Sequence, residues 1–311
     1  MIIITGGAGF IGSNLIKKYN KSKIYNIIIV DDLNKKNKKK NLKNLKYKLL
    51  ISKKKFQKLI NSDKLNLNVR SIFHLGANTN TLNNNSKFLN ENNFQYSKDI
   101  LNFCIKKNIK FLYASSMSVY GRSKVFYEKE KNEKPINDYA NSKLIFDKYV
   151  RKIIKIFNHH SIIGLRFFNI FGEGEFHKKK MASSIFQFFT ENNKKKKITI
   201  FKEKNKIICR DFMFIEDCVD ICFWLEKKYD KSNIFNIGTG LAVSYEYIAK
   251  RIIQIMGFGC IKKIDIPKSI KKKYQFFSKA KIQKLRNAGY KKKFTHIDVA
   301  IKKYITSLTL K

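Results

Sequence analysis

A glycine-rich turn near the start of this 311-residue chain constrains its fold more than any other feature. Residues 1–5 form an apolar, β-branched run that is typical of a buried parallel strand. Glycines then recur at three-residue spacing as Gly6, Gly9 and Gly12, and an amphipathic segment over 13–19 predicts a helix. Such glycines allow a tight turn, close approach of backbone N–H groups to a pyrophosphate, and close packing of helix on strand. The sequence therefore predicts a βαβ unit that binds a dinucleotide at the helix N-terminus.

A pair of acidic residues follows the second predicted strand, which covers 24–30. The first of them, Asp31, lies about 20 residues past Gly12, the spacing at which a carboxylate contacts the cofactor ribose. A carboxylate at this position accepts a hydrogen bond from the ribose 2′-hydroxyl and repels a 2′-phosphate. On the residues alone, Asp31 and Asp32 therefore favour NAD over NADP.

Two further predicted strands, 71–77 and Lys110–Ser116, end in small or hydroxyl-bearing residues. Because parallel strands bind ligands at their carboxyl ends, Ser116 is expected to lie in the site. Tyr139 and Lys143 form a Tyr-x-x-x-Lys pair, whose members share one face of a helix. We expect the Lys143 ammonium to lower the pKa of the Tyr139 phenol and to bind the cofactor ribose. Tyr139 would then exchange a proton with a substrate hydroxyl, held by Ser116, while a hydride moves.

The alternation of predicted strands and helices predicts an α/β fold with a doubly wound parallel (Rossmann) sheet. A strand-helix-strand pattern recurs over about 211–240, with its first strand at 212–215, and we expect it to return to the nucleotide-binding domain. The NAD(P)-binding Rossmann domain would comprise 1–167 plus about 211–240. Residues of about 168–210 and 241–311 would form a smaller α/β domain that binds the substrate.

The chain is strongly basic, with 66 Lys and Arg against 23 Asp and Glu and a formal net charge of +43. Such a charge normally suggests nucleic-acid binding. Only seven of the basic residues are Arg, which reads phosphate and guanine bidentately, and the lysines are spread over the whole chain. Abundant Lys, Asn, Ile, Phe and Tyr is typical of an AT-rich genome. We therefore assign the charge to composition and predict no specific nucleic-acid partner.

Composition also bears on other classes of protein. Hydrophobic residues make up 43% of the chain, enough for a sizeable core, and no apolar run approaches the ~20 residues that a membrane helix needs. The five cysteines show no Cys-x-x-Cys spacing, so neither disulfides nor a metal site is expected. Because the N-terminal segment lacks the features of a secretory signal, we expect a cytoplasmic protein without a membrane partner.

Three motifs, in this order, resemble those of the extended short-chain dehydrogenase/reductases, the nucleotide-sugar epimerases and dehydratases. They are the glycine pattern, Ser-Ser-x-x-x-Tyr-Gly over 115–121, and Tyr-x-x-x-Lys. Dehydratases of this family carry Asp-Glu just after the hydroxyl residue, whereas this chain has Met117 and Ser118, which disfavours dehydration. Residues 166–182, which end in His-Lys-x-x-Met-Ala, are similar to the ADP-heptose epimerases of the family.

The resemblance implies an epimerase of lipopolysaccharide core heptose biosynthesis that acts on a sugar nucleotide, ADP-heptose, and forms a homo-oligomer. Tightly bound NADP would take a hydride from C6 of the heptose and return it to the opposite face. Two bases are implied, Tyr139 for one epimer and Lys178 for the other. Lys178 needs a lowered pKa for this role, and we expect like-charge repulsion from Lys143, Lys179 and Lys180 to contribute.

The resemblance further implies roles for individual residues. The implied catalytic residues are Tyr139, Lys178, Ser116 and Lys143. The implied cofactor contacts are Gly6, Gly9, Phe10, Ile11, Gly12, Asp31, Asp32, Lys38, Lys53, Leu75, Gly76, Ala77, Asn78, Thr79, Asn92, Lys143 and Lys178. The implied substrate contacts are Asn169, Ile170, Lys180, Gln187, Phe201, Arg210 and Tyr274. Lys38 and Lys53 match family lysines that hold the adenosine phosphate of NADP, so the resemblance favours NADP where the acidic pair favours NAD.

Several of the substrate positions allow a second interpretation or depart from the family pattern. Arg210 suits a diphosphate, because a guanidinium binds it bidentately, but it could instead pair with Asp211. Lys180 stands where the family has Ser, and Gln187 stands where it has His. Residues 202–204 read Lys-Glu-Lys where the family has an acidic–Gly–Ser turn. These positions are expected near the nucleotide end of the substrate. The departures therefore bear on the affinity for the substrate more than on the type of reaction.

Two other functions stay open from the sequence. One is epimerisation of a different sugar nucleotide, for example at C4 of a UDP-hexose, which the His177-Lys178 segment disfavours. The other is a non-catalytic protein that binds polyanions or senses redox state. The intact Ser116, Tyr139 and Lys143 disfavour that second alternative.

Overall fold

The structure is a computed structural model that describes residues 1–32, 36–79, 85–204, 206–271 and 274–310. Its strands are β1 Ile2–Thr5, β2 Ile27–Val30, β3 Leu49–Ile51, β4 Ser71–His74, β5 Lys110–Ser116, β6 Ile162–Phe167, β7 Asn169–Phe171, β8 Lys197–Lys202, β9 Cys209–Arg210, β10 Phe212–Phe214, β11 Asn233–Ile237, β12 Val243–Ser244 and β13 Cys260–Asp265. Its α-helices are α1 Phe10–Lys21, α2 Lys36–Lys39, α3 Lys53–Asn61, α4 Ser86–Leu89, α5 Tyr96–Lys106, α6 Asp138–Ile156, α7 Ser184–Lys195, α8 Ile215–Lys228, α9 Tyr245–Met256, α10 Lys268–Lys271, α11 Gln283–Asn287 and α12 Ile297–Thr309.

A seven-stranded parallel sheet forms the centre of the molecule, in the order β11-β6-β5-β4-β1-β2-β3. The chain builds outward from β1 to β2 and β3 on one side, and from β4 to β5, β6 and β11 on the other. The predicted doubly wound α/β fold is confirmed. Because the strand order reverses between β1 and β4, a crevice for a ligand is expected at their carboxyl ends.

Side chains along the central strands alternate between two helical layers, as the period of a strand requires. Ile2 and Ile4 of β1 belong to the core that contains residues of α1 and α8. Ile3, between them, belongs to the core that contains residues of α3, α5 and α6. All four residues of β1 are buried, which explains why its first three residues are isoleucines and why the Thr5 hydroxyl is hydrogen-bonded within the protein.

Three predicted strands differ from the observed ones. The second strand begins at Ile27 rather than at 24, because the Ile24 N–H donates to the Tyr19 carbonyl and closes the turn after α1. The strand predicted over 71–77 ends at His74, where the Gly76 N–H bonds to the Thr5 hydroxyl instead of continuing the ladder. The strand predicted over 212–215 is β10, which pairs with β7 in a separate small sheet, while β11 joins the central sheet beside β6.

The described residues contain no cross-link and no metal cluster. All five cysteines are free thiols. No three His, Cys, Asp or Glu side chains in the described part of the chain converge as a metal ion would require. Within the same ranges, no helix has the length and apolar character needed to cross a bilayer.

Candidate active site

A cleft of about 480 Å³ lies at the carboxyl ends of β1, β4 and β5, where the strand order reverses. Its walls come from the glycine-rich turn, the strand ends, α6 and the segment before α7. The predicted site residues that line it are Gly6, Gly9, Phe10, Ile11, Gly12, Lys38, Leu75, Gly76, Ala77, Thr79, Ser116, Tyr139, Lys143, Asn169, Ile170, Lys178 and Lys180. The glycine-rich turn and the Tyr-x-x-x-Lys pair, which lie more than 100 positions apart in the sequence, therefore line the same cavity.

The glycine-rich turn has the shape that a dinucleotide pyrophosphate needs. Gly6 has a φ of +68°, and a Cβ on it would lie 2.7 Å from the Gly76 backbone nitrogen. Helix α1 begins after Gly9, which supplies no side-chain cap. The first-turn N–H groups of a helix have no partner within it, so they can bind an anion in the cleft. These residues fit the phosphates of NAD or NADP.

The acidic pair after β2 lies outside the cleft lining and has protein partners. The buried Asp31 carboxylate accepts the Ala8 N–H at 3.0 Å and forms an ion pair with Lys38 at 2.7 Å. Asp32 is exposed and accepts the Lys53 N–H at 3.3 Å. The Lys53 ammonium donates to the Asn92 side chain at 2.6 Å. The side chains of Lys38 and Lys53 thus lie beside the two carboxylates that follow β2.

Helix α6 carries Tyr139 and Lys143 into the cleft. Its N-terminus is fixed by Asn137, whose side chain accepts the Ala140 N–H at 2.8 Å. Tyr139 is buried and shares a hydrogen bond with Ser116 at the end of β5. The Lys143 ammonium donates to the carbonyl of Ala114, the residue two positions before Ser116, at 2.9 Å. The three residues predicted from the motifs therefore meet at one point.

The titration of this group differs from the prediction. Burial raises the pKa of Tyr139, and the Ser116 hydrogen bond only partly opposes the rise. Burial lowers the pKa of Lys143 to about 8, with Asp147 opposing. The prediction that Lys143 lowers the pKa of Tyr139 is therefore wrong for this structure. The reason is that desolvation of the phenol outweighs a cation that is itself desolvated and bound to the Ala114 carbonyl.

Lys178 reaches the same cleft from a different element, the 3-10 segment Phe176–Met181. Its ammonium lies 5.6 Å from the centre of the Phe10 ring. Burial lowers the pKa of Lys178, and the Glu175 carboxylate opposes this. The predicted direction is confirmed, but the predicted cause is wrong. Lys179 and Lys180 are exposed to solvent, which screens their charge, so burial and not like-charge repulsion lowers this pKa.

Two asparagines tie the segment around Lys178 to the nucleotide-binding turn. The Asn41 amide donates to the Ala8 and Gly174 carbonyls, both at 3.1 Å. The Asn14 amide, on α1, donates to the Glu173 carbonyl at 2.8 Å. The segment that carries Lys178 is therefore held against the glycine-rich turn and the start of α1.

Four of the predicted substrate contacts lie outside the cleft lining. Three of them form a cluster, in which the Phe201 and Tyr274 rings lie 5.6 Å apart and the Arg210 guanidinium lies 5.6 Å from the Tyr274 ring. The fourth, Gln187, donates to the Lys180 and Ala182 carbonyls and so supports the segment around Lys178.

The structural alternative for Arg210, an ion pair with Asp211, is not what the structure shows. The buried Asp211 carboxylate accepts instead from the Thr239, Gly240 and Ala280 backbone N–H groups. Arg210 is left facing the Tyr245 and Tyr274 rings.

Two residues near the site, His74 and Asn93, are not among the predicted site residues. His74 bridges the Thr5 and Ser97 hydroxyls at 2.8 and 2.9 Å, and burial lowers its pKa to about 3, so it is neutral. Asn93 binds the backbone of Asn78 through both its oxygen and its nitrogen, and it also donates to Ser142 on α6. Because His74 lies inside the strand predicted over 71–77, the sequence could have indicated a buried histidine, whereas none of the three motifs includes Asn93.

Comparison with known proteins agrees with this geometry. The NAD dependent epimerase/dehydratase family matches residues 2–238, and the chain belongs to that family. The chain is 41% identical to the ADP-L-glycero-D-manno-heptose-6-epimerase of Brachyspira hyodysenteriae, across 98% of this chain and 96% of the relative.

Two solved structures extend the comparison to the fold. The ADP-L-glycero-D-manno-heptose-6-epimerase of Helicobacter pylori has a TM-score of 0.84 at 27% identity, over 99% of this chain and 96% of that one. A UDP-N-acetylglucosamine 4-epimerase from Methanobrevibacter ruminantium, in complex with UDP-N-acetylmuramic acid, has a TM-score of 0.86 at 21% identity, over 99% and 98%. The latter likeness shows a shared fold.

Proposed function

We propose that this chain is an isomerase that converts ADP-D-glycero-β-D-manno-heptose to ADP-L-glycero-β-D-manno-heptose by transient oxidation at C6. The observation that carries the proposal is that Tyr139 and Lys178, on different elements, line one cleft beside the glycine-rich turn. Inversion of a carbinol centre through a ketone needs proton handling in two orientations of the sugar, and two separate groups can supply it. The 41% identity to an enzyme of that name supports the choice of substrate.

The cofactor in this proposal is NADP, within a family that is NAD-dependent. When bound, the dinucleotide accepts the C6 hydride and returns it. Asp31 alone would repel a 2′-phosphate, but its ion pair with Lys38 at 2.7 Å offsets that charge. Lys53 adds a second cation on the same side of the turn, beside Asp32. The Gly6, Gly9 and Gly12 turn would hold the pyrophosphate.

The opposite pKa shifts of Tyr139 and Lys178 suit one group to donate a proton and the other to accept one. Burial raises the pKa of Tyr139, so its phenol keeps its proton at neutral pH and can return one to a keto oxygen. Burial lowers the pKa of Lys178, which favours the neutral amine, the form that accepts a proton from a sugar hydroxyl. Ser116, hydrogen-bonded to Tyr139, would orient the reacting oxygen.

Substitution of the two groups tests their roles. Tyr139→Phe and Lys178→Met should each lower kcat by about 10² or more, the range that proton transfer contributes, while the cofactor stays bound. Lys179→Met is the matched control, because Lys179 is adjacent and exposed. It should keep near-normal activity. Equal losses in Lys178→Met and Lys179→Met would mean that the lysine triplet acts only through its charge, and near-normal activity in Tyr139→Phe would exclude Tyr139 as a proton donor.

We further propose that the chain has two structural units. Residues 1–167 and about 211–240 form the nucleotide-binding unit, and about 168–210 and 241–311 form the substrate-binding unit. The pairing of β11 with β6 and the packing of α8 on α1 support this division.

The protein acts in the cytoplasm, where sugar nucleotides and dinucleotides are held. It acts as a homo-oligomer, which light scattering on the purified protein would test.

A further inference from the structure

The segment that carries Lys178 runs over 172–183, from the end of β7 to the N-cap of α7, and is here called the Lys178 loop. Glu175 lies inside this loop and has no exposed surface. Its carboxylate accepts the Gly172 N–H at 3.1 Å, at the start of the loop. At the end of the loop it accepts the Ser183 N–H, and the Ser183 hydroxyl at 2.7 Å. One buried side chain therefore joins both ends of the loop.

A fourth donor comes from the last helix. The buried Tyr304, on α12, makes a side-chain hydrogen bond to Glu175. Charged acceptors in a low dielectric form stronger hydrogen bonds than neutral ones, and several that converge on one group hold it rigidly. Burial raises the pKa of Glu175, while the Ser183 and Gly172 hydrogen bonds and the charge of Lys178 oppose that rise.

The backbone of Glu175 contacts Lys178 directly. The Lys178 N–H donates to the Glu175 carbonyl at 2.9 Å, which begins the 3-10 turn. The next residue, Lys179, has a φ of +50°, a conformation that a residue with a side chain adopts only when its surroundings impose it. The turn that aims Lys178 into the cleft is therefore held from outside.

We propose that Glu175 is a positioning residue for Lys178: its buried carboxylate closes the Lys178 loop and fixes the backbone from which the Lys178 ammonium reaches the cleft. The inference rests on the proposed function, because it assumes that Lys178 handles a proton. Glu175 does not contact the substrate in this proposal. Glu175→Gln keeps the shape of the side chain but replaces one acceptor with an NH₂ donor facing the donors of Gly172 and Ser183.

Glu173 supplies a matched control. It lies two residues away in the same loop, but its side chain is 45% exposed and pairs with Lys17 at the surface at 3.2 Å. Glu173→Gln removes the same charge as Glu175→Gln without removing a buried acceptor. A difference between the two variants therefore reports the internal hydrogen bonds and not the charge of the loop.

The experiment measures single-turnover oxidation of each C6 epimer separately, by the absorbance of the reduced cofactor, in wild type, Glu175→Gln and Glu173→Gln. Misplacing a reacting group by about 1 Å costs about 10²-fold. Glu175→Gln should therefore oxidise one epimer about 10²-fold more slowly and the other at nearly the wild-type rate, with the same asymmetry as Lys178→Met. Equal slowing of both epimers would indicate a purely structural role, and wild-type rates for both would indicate no role; either result overturns the proposal.

Amide hydrogen exchange tests the loop independently of any substrate. Glu175→Gln should exchange faster than wild type over 172–183, whereas Glu173→Gln should not. Unchanged exchange in Glu175→Gln would overturn the proposal even if activity fell. If wild type and Glu173→Gln oxidise neither epimer, it is the proposed function that fails, and the exchange result still decides whether Glu175 closes the loop.

A milder variant covers the case in which Glu175→Gln does not fold. Tyr304→Phe removes one of the four donors and keeps the ring in its buried position. It should show the same asymmetry between epimers at a few-fold level. Slowing that is equal for the two epimers would contradict the positioning role.

Discussion

Lys179 stores backbone strain that a single substitution should release. Its φ is +50° and its ψ is −120°, a combination that suits glycine, and its side chain is exposed. A residue held in such a sparsely populated region costs about 1–3 kcal/mol. Glycine would remove that cost but would lose about 0.5–1 kcal/mol through the greater freedom of the unfolded chain. Lys179→Gly should therefore raise the free energy of unfolding by about 1 kcal/mol.

The assay is equilibrium unfolding in urea, with Lys179→Ala as the control. Alanine removes the same charge and the same long side chain but keeps the Cβ that causes the strain. At the size of this chain, about 1 kcal/mol corresponds to a rise of about 2 °C in Tm, so the midpoint in urea is the more sensitive reading. If Lys179→Gly is no more stable than Lys179→Ala, the backbone at this position is not strained.

Two further outcomes follow from the titratable groups around the cleft. The pKa of His74 is about 3 in the folded protein and about 6.5 in the unfolded protein. Between these pH values the unfolded state binds more protons than the folded state. The free energy of unfolding therefore falls as the pH drops from 6.5 to 3, by on the order of 4 kcal/mol for this group. His74→Gln should flatten that slope in urea titrations at several pH values, and an unchanged slope would assign the acid sensitivity to other groups. Lys38→Met removes the partner of the Asp31 carboxylate and should weaken NADP binding at least tenfold while leaving NAD binding nearly unchanged, measured by fluorescence titration. Equal weakening of both cofactors would argue against a role for Lys38 at the 2′-phosphate.

The parts of the fold and site that the sequence predicts correctly depend on local pattern. Spacing over a few residues determines each of three features: the glycine-rich turn, the end of β5 at Ser116, and the Tyr139–Lys143 pair. The parallel sheet then brings these features together. The local pattern also predicts a strand at 212–215, but the pairing of β10 with β7 depends on where the chain returns in space.

Burial explains most of what the sequence could not provide. The pKa of Tyr139 is raised because its phenol is desolvated, a property that the Tyr-x-x-x-Lys spacing does not encode. Glu175 and Glu173 look alike in the sequence, yet one is fully buried among four donors and the other faces solvent. The different burial of these two glutamates comes from the packing of α12 and of the N-terminus of α7 against the Lys178 loop.

The most direct test of the central claim is to follow the C6 configuration of ADP-D-glycero-β-D-manno-heptose by proton NMR in D₂O, with purified protein and no added cofactor. The sample should drift toward an equilibrium mixture of the two C6 epimers, with hydrogen retained at C6 because it leaves and returns as a hydride. Absence of any change, even after NADP⁺ and then NAD⁺ are added, would contradict the assigned reaction. Epimerisation with deuterium incorporated at C6 would contradict the oxidative mechanism.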